Sequence, residues 1–459
     1  AGDANIGSFG LIETTGDAAT GIVADVANGD LNLTHDGIIS ATGGFSLGID
    51  IETQTGDISM VSTGDISSSQ NAIDASSVTA GDVSIISAGD LVSTNGLGIF
   101  ASSFGDISLD NQGEITSGSS GLVANGFGYG DGSIINSGEV NSGFFGAGIV
   151  LTSGGSADIQ NSGSLNTTGD FHSATIIRAR SGVSNADLSI TNAATGALST
   201  TGDDSHGMFI DFIDNAGSGT IVLSNLGAIG TQGARSSGIF ADVPTGDIDI
   251  DNSGTVQTGG AEATAILARL AGAGDVTVFN SGAITTSGFF ASGIFGDAGS
   301  GNVTLTNGAA GDIQVTRNGM RADTSGNADL LNQGNISVTG QGAGLSANIS
   351  GNLTQTNTGT IVTIGDGSRG FSSNVGGDAL ITNEGAVTVT GDGAGTRGLS
   401  SNMTADGDST VVNAMAGAIS VTGEDAVGIT SFTRGGDSSV QNAGSLTVTG
   451  DGAIGSESV

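Results

Sequence analysis

The sequence predicts an all-β fold, a right-handed parallel β-helix with three strands per turn and about sixteen turns. Of its 459 residues, 84 are glycine and one is proline. Glycine does not recur at every third position, which excludes collagen, and aliphatic residues throughout the chain argue against disorder. Small, apolar, acidic and amide residues instead recur in columns about 27 residues apart, a period typical of solenoids.

The first column is a small residue followed by an apolar one, as in Gly48-Ile49 and Gly428-Ile429. The second is usually an aspartate that begins an alternating segment; after Asp57, for example, the apolar residues Ile58 and Met60 alternate with polar ones. Period-two alternation indicates a strand with one buried face. A second alternating segment follows a further glycine, so each repeat contains three short strands separated by corners.

The third column lies five residues after the acidic one. Residues one, three and five places after the aspartate share one face of the strand, so the fifth points inward with the apolar residues. Asparagine amides stacked there at about 4.8 Å can bond to each other and to corner carbonyls, which predicts a structural ladder. Its members are Asn111, Asn136, Asn161, Asn192, Asn225, Asn252, Asn280, Asn307, Asn332, Asn357, Asn383, Asn413 and Asn442, preceded by His35, Ser62 and Ser87.

These columns predict the domain organisation. Residues 1–20 are interpreted as the end of a preceding turn, 21–455 as one β-helix, and 456–459 as the start of a further turn. The turns in residues 176–238 are longer than the others. Insertions in a solenoid leave as loops on one face, often the binding face. The residues predicted for ligand contact there are Phe171, His172, Arg178, Arg180, His206 and Phe212.

The acidic column allows two interpretations. Carboxylates stacked about 4.8 Å apart repel one another, which favours bound cations, so a row of calcium sites is one hypothesis. The other is that each aspartate accepts backbone N–H bonds at a tight corner. No other cofactor is predicted. The candidate calcium row is Asp30, Asp57, Asp82, Asp106 and Asp131.

Charge narrows the classes of partner. The chain has 46 acidic and nine basic residues, a net charge of −37, which argues against binding nucleic acid or an anionic membrane. No apolar run is long enough to cross a membrane as a helix. There is no cysteine, so neither disulfides nor thiolate metal sites contribute to stability.

The segment Asn280-Ser281-Gly282-Ala283-Ile284, followed by Gly293-Ile294, is one example of a pattern that resembles the passenger domains of Gram-negative autotransporters and related large bacterial adhesins. The resemblance covers nearly the whole chain. It implies export through the outer membrane, folding outside the cell and anchoring by a C-terminal β-barrel.

The predicted function is therefore an extracellular structural or adhesive stalk on a bacterial outer surface. Its expected partners are further copies of itself, in end-to-end or lateral association, other cells or glycans. An enzyme is not expected, although polysaccharide binding or cleavage is the main alternative, with His172, Arg178, Arg180 and Asp211 as the group to test. Outward threonine and serine pairs, such as Thr388 with Thr390, leave ice binding as a minor alternative.

Overall fold

The computed structural model describes residues 2–179, 186–212, 219–393 and 395–458. These residues form a β-solenoid with three strands per turn and about sixteen turns, which confirms the predicted all-β parallel fold. They contain no α-helix, and so no helix that could cross a membrane. The chain divides into two compact units, Ala1–Gly233 and Ala234–Val459.

Sheet A contains the first strand of each turn, with strict alternation of buried and exposed residues in most turns. In the first unit its strands are Ala4–Ser8, Leu31–His35, Ile58–Ser62, Val83–Ser87, Ile107–Asn111, Gly132–Asn136, Ala157–Asn161, Leu188–Asn192 and Thr220–Asn225. In the second unit they are Asp247–Asn252, Val276–Asn280, Val303–Asn307, Ala328–Asn332, Leu353–Asn357, Ala379–Asn383, Ser409–Asn413 and Ser438–Asn442.

Sheet B contains the second strand of each turn, three to five residues long. In the first unit its strands are Leu11–Thr14, Ile38–Ala41, Asp65–Ser68, Leu91–Ser93, Ile115–Ser117, Glu139–Ser142, Ser164–Thr167, Ala197–Thr200 and Ala228–Thr231. In the second unit they are Thr255–Thr258, Ala283–Thr286, Asp312–Val315, Asn335–Val338, Thr360–Ile364, Ala386–Thr390, Ala418–Thr422 and Ser445–Thr449.

Sheet C contains the third strand, which begins near the small-apolar pair. In the first unit its strands are Ile22–Val26, Ile49–Thr53, Ile73–Ser77, Ile99–Ser103, Leu122–Gly126, Ile149–Ser153, Thr175–Ala179 and Met208–Phe212. In the second unit they are Ile239–Val243, Ile266–Leu270, Ile294–Ala298, Met320–Thr324, Ala343–Ile349, Arg369–Val375, Arg397–Met403, Val427–Phe432 and Ile454–Ser458. Three of these last strands reach seven residues, so the outer face of sheet C is widest there.

Successive turns pair in parallel and in register within each unit. Ile85, for example, lies between Met60 of the preceding turn and Leu109 of the following one, and all three are buried. Equivalent residues therefore stack in columns, and every sequence column becomes a physical row. Glycine is needed where corners stack closely: a Cβ added at Gly56 would overlap the Gly29 carbonyl oxygen.

The two long turns keep this register. Leu188 pairs with Ala157 and Ile221 with Leu188, as in turns of ordinary length. The extra residues consequently fall between the sheet C strand and the sheet A strand, in the segments 180–187 and 213–219. The insertions leave the three-stranded core unchanged.

Candidate functional site

The acidic column lies at the corner that precedes sheet A, where its carboxylates are exposed. Each carboxylate Oδ1 accepts the backbone N–H of the equivalent residue in the next turn. The amide of Asp57 donates to Asp30 at 3.1 Å, that of Asp82 to Asp57 at 2.9 Å, and that of Asp106 to Asp82 at 2.8 Å. Asp131 continues the row by donating to Asp106 at 2.8 Å. These carboxylates therefore hold consecutive turns together.

One oxygen of each carboxylate is thus engaged with the backbone, while the exposed row still concentrates negative charge. A second acidic row follows the same pattern before sheet B, where the amide of Asp90 donates to Asp65 at 3.1 Å. Among the described residues, no three His, Asp or Glu side chains are grouped as ligands of one metal ion. Calcium binding along the acidic column stays a prediction.

A serine groove runs beside the acidic column on the outer face of sheet A in the first unit. Its floor is formed by Ser84, Ser108, Ser133, Asp158 and Ser189, and its volume is about 800 Å³. The groove exists because small side chains repeat at one outward position of successive strands. Hydroxyls and an acidic edge suit a hydroxylated, uncharged or cationic ligand better than an anion.

The asparagine ladder lies inside, at the end of each sheet A strand, and its members in the first unit are at most 1% exposed. Each Nδ2 donates to the Oδ1 of the asparagine in the next turn: Asn111 to Asn136 and Asn136 to Asn161 are both 2.8 Å. Asn136 Nδ2 also donates to the Gly138 carbonyl at 3.0 Å. The second unit repeats this arrangement from Asn252 to Asn442.

The first-unit ladder has a defect at its start. Ser87 occupies the ladder position before Asn111, and its side chain is too short to reach the next amide. The Ser87 hydroxyl and Asn111 Oδ1 are both buried and have no hydrogen-bond partner in the described part of the chain. A buried polar atom without a hydrogen-bond partner lowers the free energy of unfolding by about 1–3 kcal/mol.

Ser87→Asn is expected to stabilise the protein by about 1–2 kcal/mol, because the new Nδ2 can donate to Asn111 Oδ1 as Asn111 does to Asn136. The thermal unfolding midpoint measures this. Ser84→Asn, on the exposed face of the same strand, is the matched control and should leave the midpoint unchanged. A midpoint for Ser87→Asn at or below that of the unaltered protein would contradict the prediction.

The residues predicted for ligand contact in the long turns occupy different environments. Phe171 is 71% exposed at a corner, and the backbone N–H of the neighbouring His172 donates to Ser205 Oγ at 3.0 Å. Arg178 lies half-buried on sheet C, in register with Asp211 of the next turn. Arg180 lies outside the described residues, as does the side chain of Phe212.

Two histidines of these turns have shifted pKa values. Burial lowers the pKa of His172, and the nearby Arg178 guanidinium lowers it further, partly opposed by Asp170. His206 is only 7% exposed, with its ring centroid 5.0 Å from that of Phe209. Burial lowers its pKa to about 4, against a weak opposing effect of Asp204. His206 is therefore neutral at physiological pH.

Exposed phenylalanines gather at the corner between sheets B and C. In the first unit these are Phe45, Phe144, Phe145 and Phe171, between 59% and 78% exposed. Phe45 and Phe171 have positive φ angles of 58° and 63°. The sequence does not reveal this backbone conformation, which bulky residues rarely adopt.

The threonine and serine residues that suggested ice binding lie on the outer face of sheet B. One column in the second unit runs through Ser337, Val362, Thr388, Ser420 and Thr447 in register. Val362 interrupts the hydroxyl groups of this column. Ice binding stays a prediction.

Sequence reasoning missed an arginine-rich surface on sheet C of the second unit. Arg369 and Arg397 each precede the glycine of the first sequence column and pair in register on neighbouring strands. That shared position was a signal for their proximity.

The chain matches no family model, no curated protein and no solved structure. The function proposed for it rests on its own residues and their geometry. Two features stand out among the described residues: side chains that repeat along each unit, and aromatic rings exposed at one corner.

Proposed function

We propose that this chain is a non-catalytic structural and adhesive segment on the outer surface of a bacterium, which acts through contacts repeated along the solenoid. Its proposed partners are further copies of itself, other cells and glycans. One observation carries the adhesive part: exposed phenylalanines are held at positive φ. They are Phe45 and Phe171 in the first unit and Phe290, with φ of 61°, in the second.

Folding does not account for the rings of Phe45 and Phe171, whereas the Phe290 ring, 45% exposed, also packs against Phe289 and beneath Arg317. A left-handed conformation costs a residue with a Cβ about 1–2 kcal/mol, and a ring left in water forgoes the roughly 1.5–3 kcal/mol of burial. At the equivalent corners the chain has polar residues instead, as at Asp204, Glu262 and Asp425. Phenylalanine at such a corner is therefore explained by contact with a partner, which would bury the ring.

The ladders support the structural part of the proposal. Within each unit, successive turns are joined by in-register backbone bonds, and the inward amides and corner carboxylates add a second set of bonds. This bonding needs neither disulfides nor a cofactor. The acidic exterior keeps the surface hydrated between its apolar corners.

The double variant Phe45→Asn/Phe171→Asn tests adhesion. Asparagine tolerates the left-handed conformation, so the free energy of unfolding should be unchanged or rise by up to about 1 kcal/mol per site. Beads coated with the variant should aggregate with each other and attach to cells or immobilised glycans less than beads coated with the unaltered chain. Ala18→Asn, at an equivalent corner with φ of 55° and no ring, is the matched control.

Two results would contradict the proposal. The first is full adhesion by the phenylalanine variant, or adhesion of the unaltered chain no greater than that of albumin-coated beads. The second concerns location: protease added to intact source cells should degrade the chain. If it is degraded only after lysis, the proposed extracellular location is wrong.

A further inference from the structure

An arginine groove crosses the outer face of sheet C in the second unit. It consists of two adjoining cavities of about 600 and 440 Å³ that share Arg369, Ser372 and Asn374. Arg317 and Arg321 line one end, and Arg397 lies towards the other. Four of the nine arginines of the chain therefore line one groove, although the protein has a net charge of −37.

The groove is also depleted of acidic residues. One outward column of sheet C passes through Asp297 and Asp323 and continues in register as Asn348, Asn374 and Asn402. The change from carboxylate to amide coincides with the turns that place Arg369 and Arg397 beside the column. Among the described residues, none that lines the larger cavity is acidic, and Glu457 is the only acidic residue that lines the smaller one.

In the part of the chain that the structure describes, the guanidinium groups of Arg369 and Arg397 have no carboxylate partner. Arg369 donates from Nε to the Gly395 carbonyl at 3.2 Å and from Nη1 to Ser372 Oγ at 2.9 Å. Arg397 Nη1 donates to Ser400 Oγ at 3.4 Å, while its buried Nε lacks a hydrogen-bond partner among the described residues. Within the described part of the chain, neither arginine lies within 4.0 Å of a carboxylate oxygen.

Without a bound anion, these two neighbouring guanidinium charges lower the stability of the folded protein. Burial lowers the pKa of Arg369, and repulsion by the neighbouring Arg397 guanidinium lowers it further. Arg321, by contrast, forms an ion pair with Asp323 and lies over the Phe295 ring, 4.7 Å from its centroid. Arg369 and Arg397 therefore carry unneutralised charge, together with Arg317, which lies over the Phe290 ring at 5.2 Å and has no ion pair among the described residues.

From this geometry we infer that the arginine groove binds a linear acidic glycan, with carboxylate or sulfate groups on Arg369 and Arg397 and sugar hydroxyls on the serine and asparagine columns. Guanidinium groups recognise both anions through paired N–H donors. Ser372, Ser400, Asn374 and Asn402 offer both donors and acceptors, as hydroxyl recognition requires. Parallel strands about 4.8 Å apart repeat these contacts along an extended ligand.

A nucleic acid fits this surface less well. Its closely spaced phosphates need a long row of cations, whereas here the remainder of the surface is strongly acidic. An acidic glycan can place few charges on the arginines and neutral, hydroxylated stretches elsewhere. The inference adds one localised site to the repetitive contacts proposed above and does not depend on the corner phenylalanines.

Binding of the full chain to fluorescent hyaluronate, which has one carboxylate per two sugars, to keratan sulfate, which carries sulfate and no carboxylate, to neutral dextran and to oligothymidylate tests the inference. The unaltered chain should bind one or both acidic glycans, and the glycan that binds identifies the anion as carboxylate or sulfate. Arg369→Gln/Arg397→Gln should weaken that binding on the order of a hundredfold, about tenfold per charge-assisted contact. Arg434→Gln removes one charge from an exposed residue that does not line the groove and should leave the affinity unchanged.

A second variant retains the arginines. Asn374→Asp places a carboxylate at an exposed position of the column, keeps the oxygen that accepts the Asn402 amide at 2.8 Å, and should weaken acidic-glycan binding without lowering the thermal midpoint. The inference is wrong if neither acidic glycan binds, if the Arg434 control loses as much affinity as the double arginine variant, or if oligothymidylate or neutral dextran binds equally well. Phe45→Asn/Phe171→Asn should bind acidic glycan normally, which separates this test from the adhesion test.

Discussion

Asn136→Ala is expected to destabilise the protein by about 3 kcal/mol or more. The Asn136 side chain is fully buried, and its Nδ2 donates to Asn161 Oδ1 at 2.8 Å and to the Gly138 carbonyl at 3.0 Å. Alanine removes both donors and also the acceptor for Asn111 Nδ2. Each buried polar group that loses its partner costs about 1–3 kcal/mol, and the vacated volume adds a cavity.

Urea unfolding followed by circular dichroism measures this loss. Asn141→Ala is the matched control because Asn141 lies half-buried on the outer face of sheet B in the same turn, where water can replace the bonds that it makes to Glu139 and accepts from Asn166, both 3.0 Å. Its replacement should change the free energy of unfolding by about 0.5 kcal/mol or less. Equal effects of the two substitutions would show that the inward amides do not stabilise the stack.

Acidification is expected to cost the protein about 3 kcal/mol through His206 alone. Its pKa is about 4 in the folded protein, against 6.5 for an ordinary histidine. Above pH 6.5 the imidazole is neutral in both the folded and the unfolded chain, so it does not change the free energy of unfolding. As the pH falls from about 6.5 to 4, the unfolded chain takes up a proton that the folded chain does not, so stability falls by about 1.4 kcal/mol per pH unit.

His206→Gln isolates this contribution, because the carboxylates titrate in both proteins. Urea midpoints at about pH 7 and pH 4 should show a smaller acid-induced loss for His206→Gln than for the unaltered chain. His172→Gln is the comparison, since His172 is more exposed and should have a smaller effect. The same pH dependence with and without His206 would contradict the assignment.

The interior was accessible to prediction because it depends on local periodicity. Strand parity alone places Asn136 on the same face as Ile134, and both side chains are fully buried. Strand parity could not identify the group that donates a hydrogen bond to the Asp57 carboxylate. That donor is the amide of Asp82 in the next turn, and the contact depends on the exact stacking of two corners 25 residues apart.

The candidate surfaces were harder to predict because they depend on relations between turns. Arg369 and Arg397 are 28 residues apart, and only the register of sheet C makes them neighbours. The left-handed backbone of Phe45 is set by the corner and has no signature in the side chain itself. Composition gave the net charge of the whole chain, but it could not show that carboxylates are depleted around the arginine groove.

The asparagine ladder makes the stack directional. Within each unit, each amide that is followed by another asparagine of the ladder donates to it, towards the C-terminal side, and most also have a carbonyl at their own corner, as Asn136 has at Gly138. An asparagine with no following turn can therefore still donate to the carbonyl at its own corner. An asparagine with no asparagine in the preceding turn has an Oδ1 that accepts no hydrogen bond, as Asn111 does. The ladder thus ends in an acceptor on its N-terminal side and in a donor on its C-terminal side. Adding or removing a turn at one end therefore has a different energetic effect from the same change at the other end.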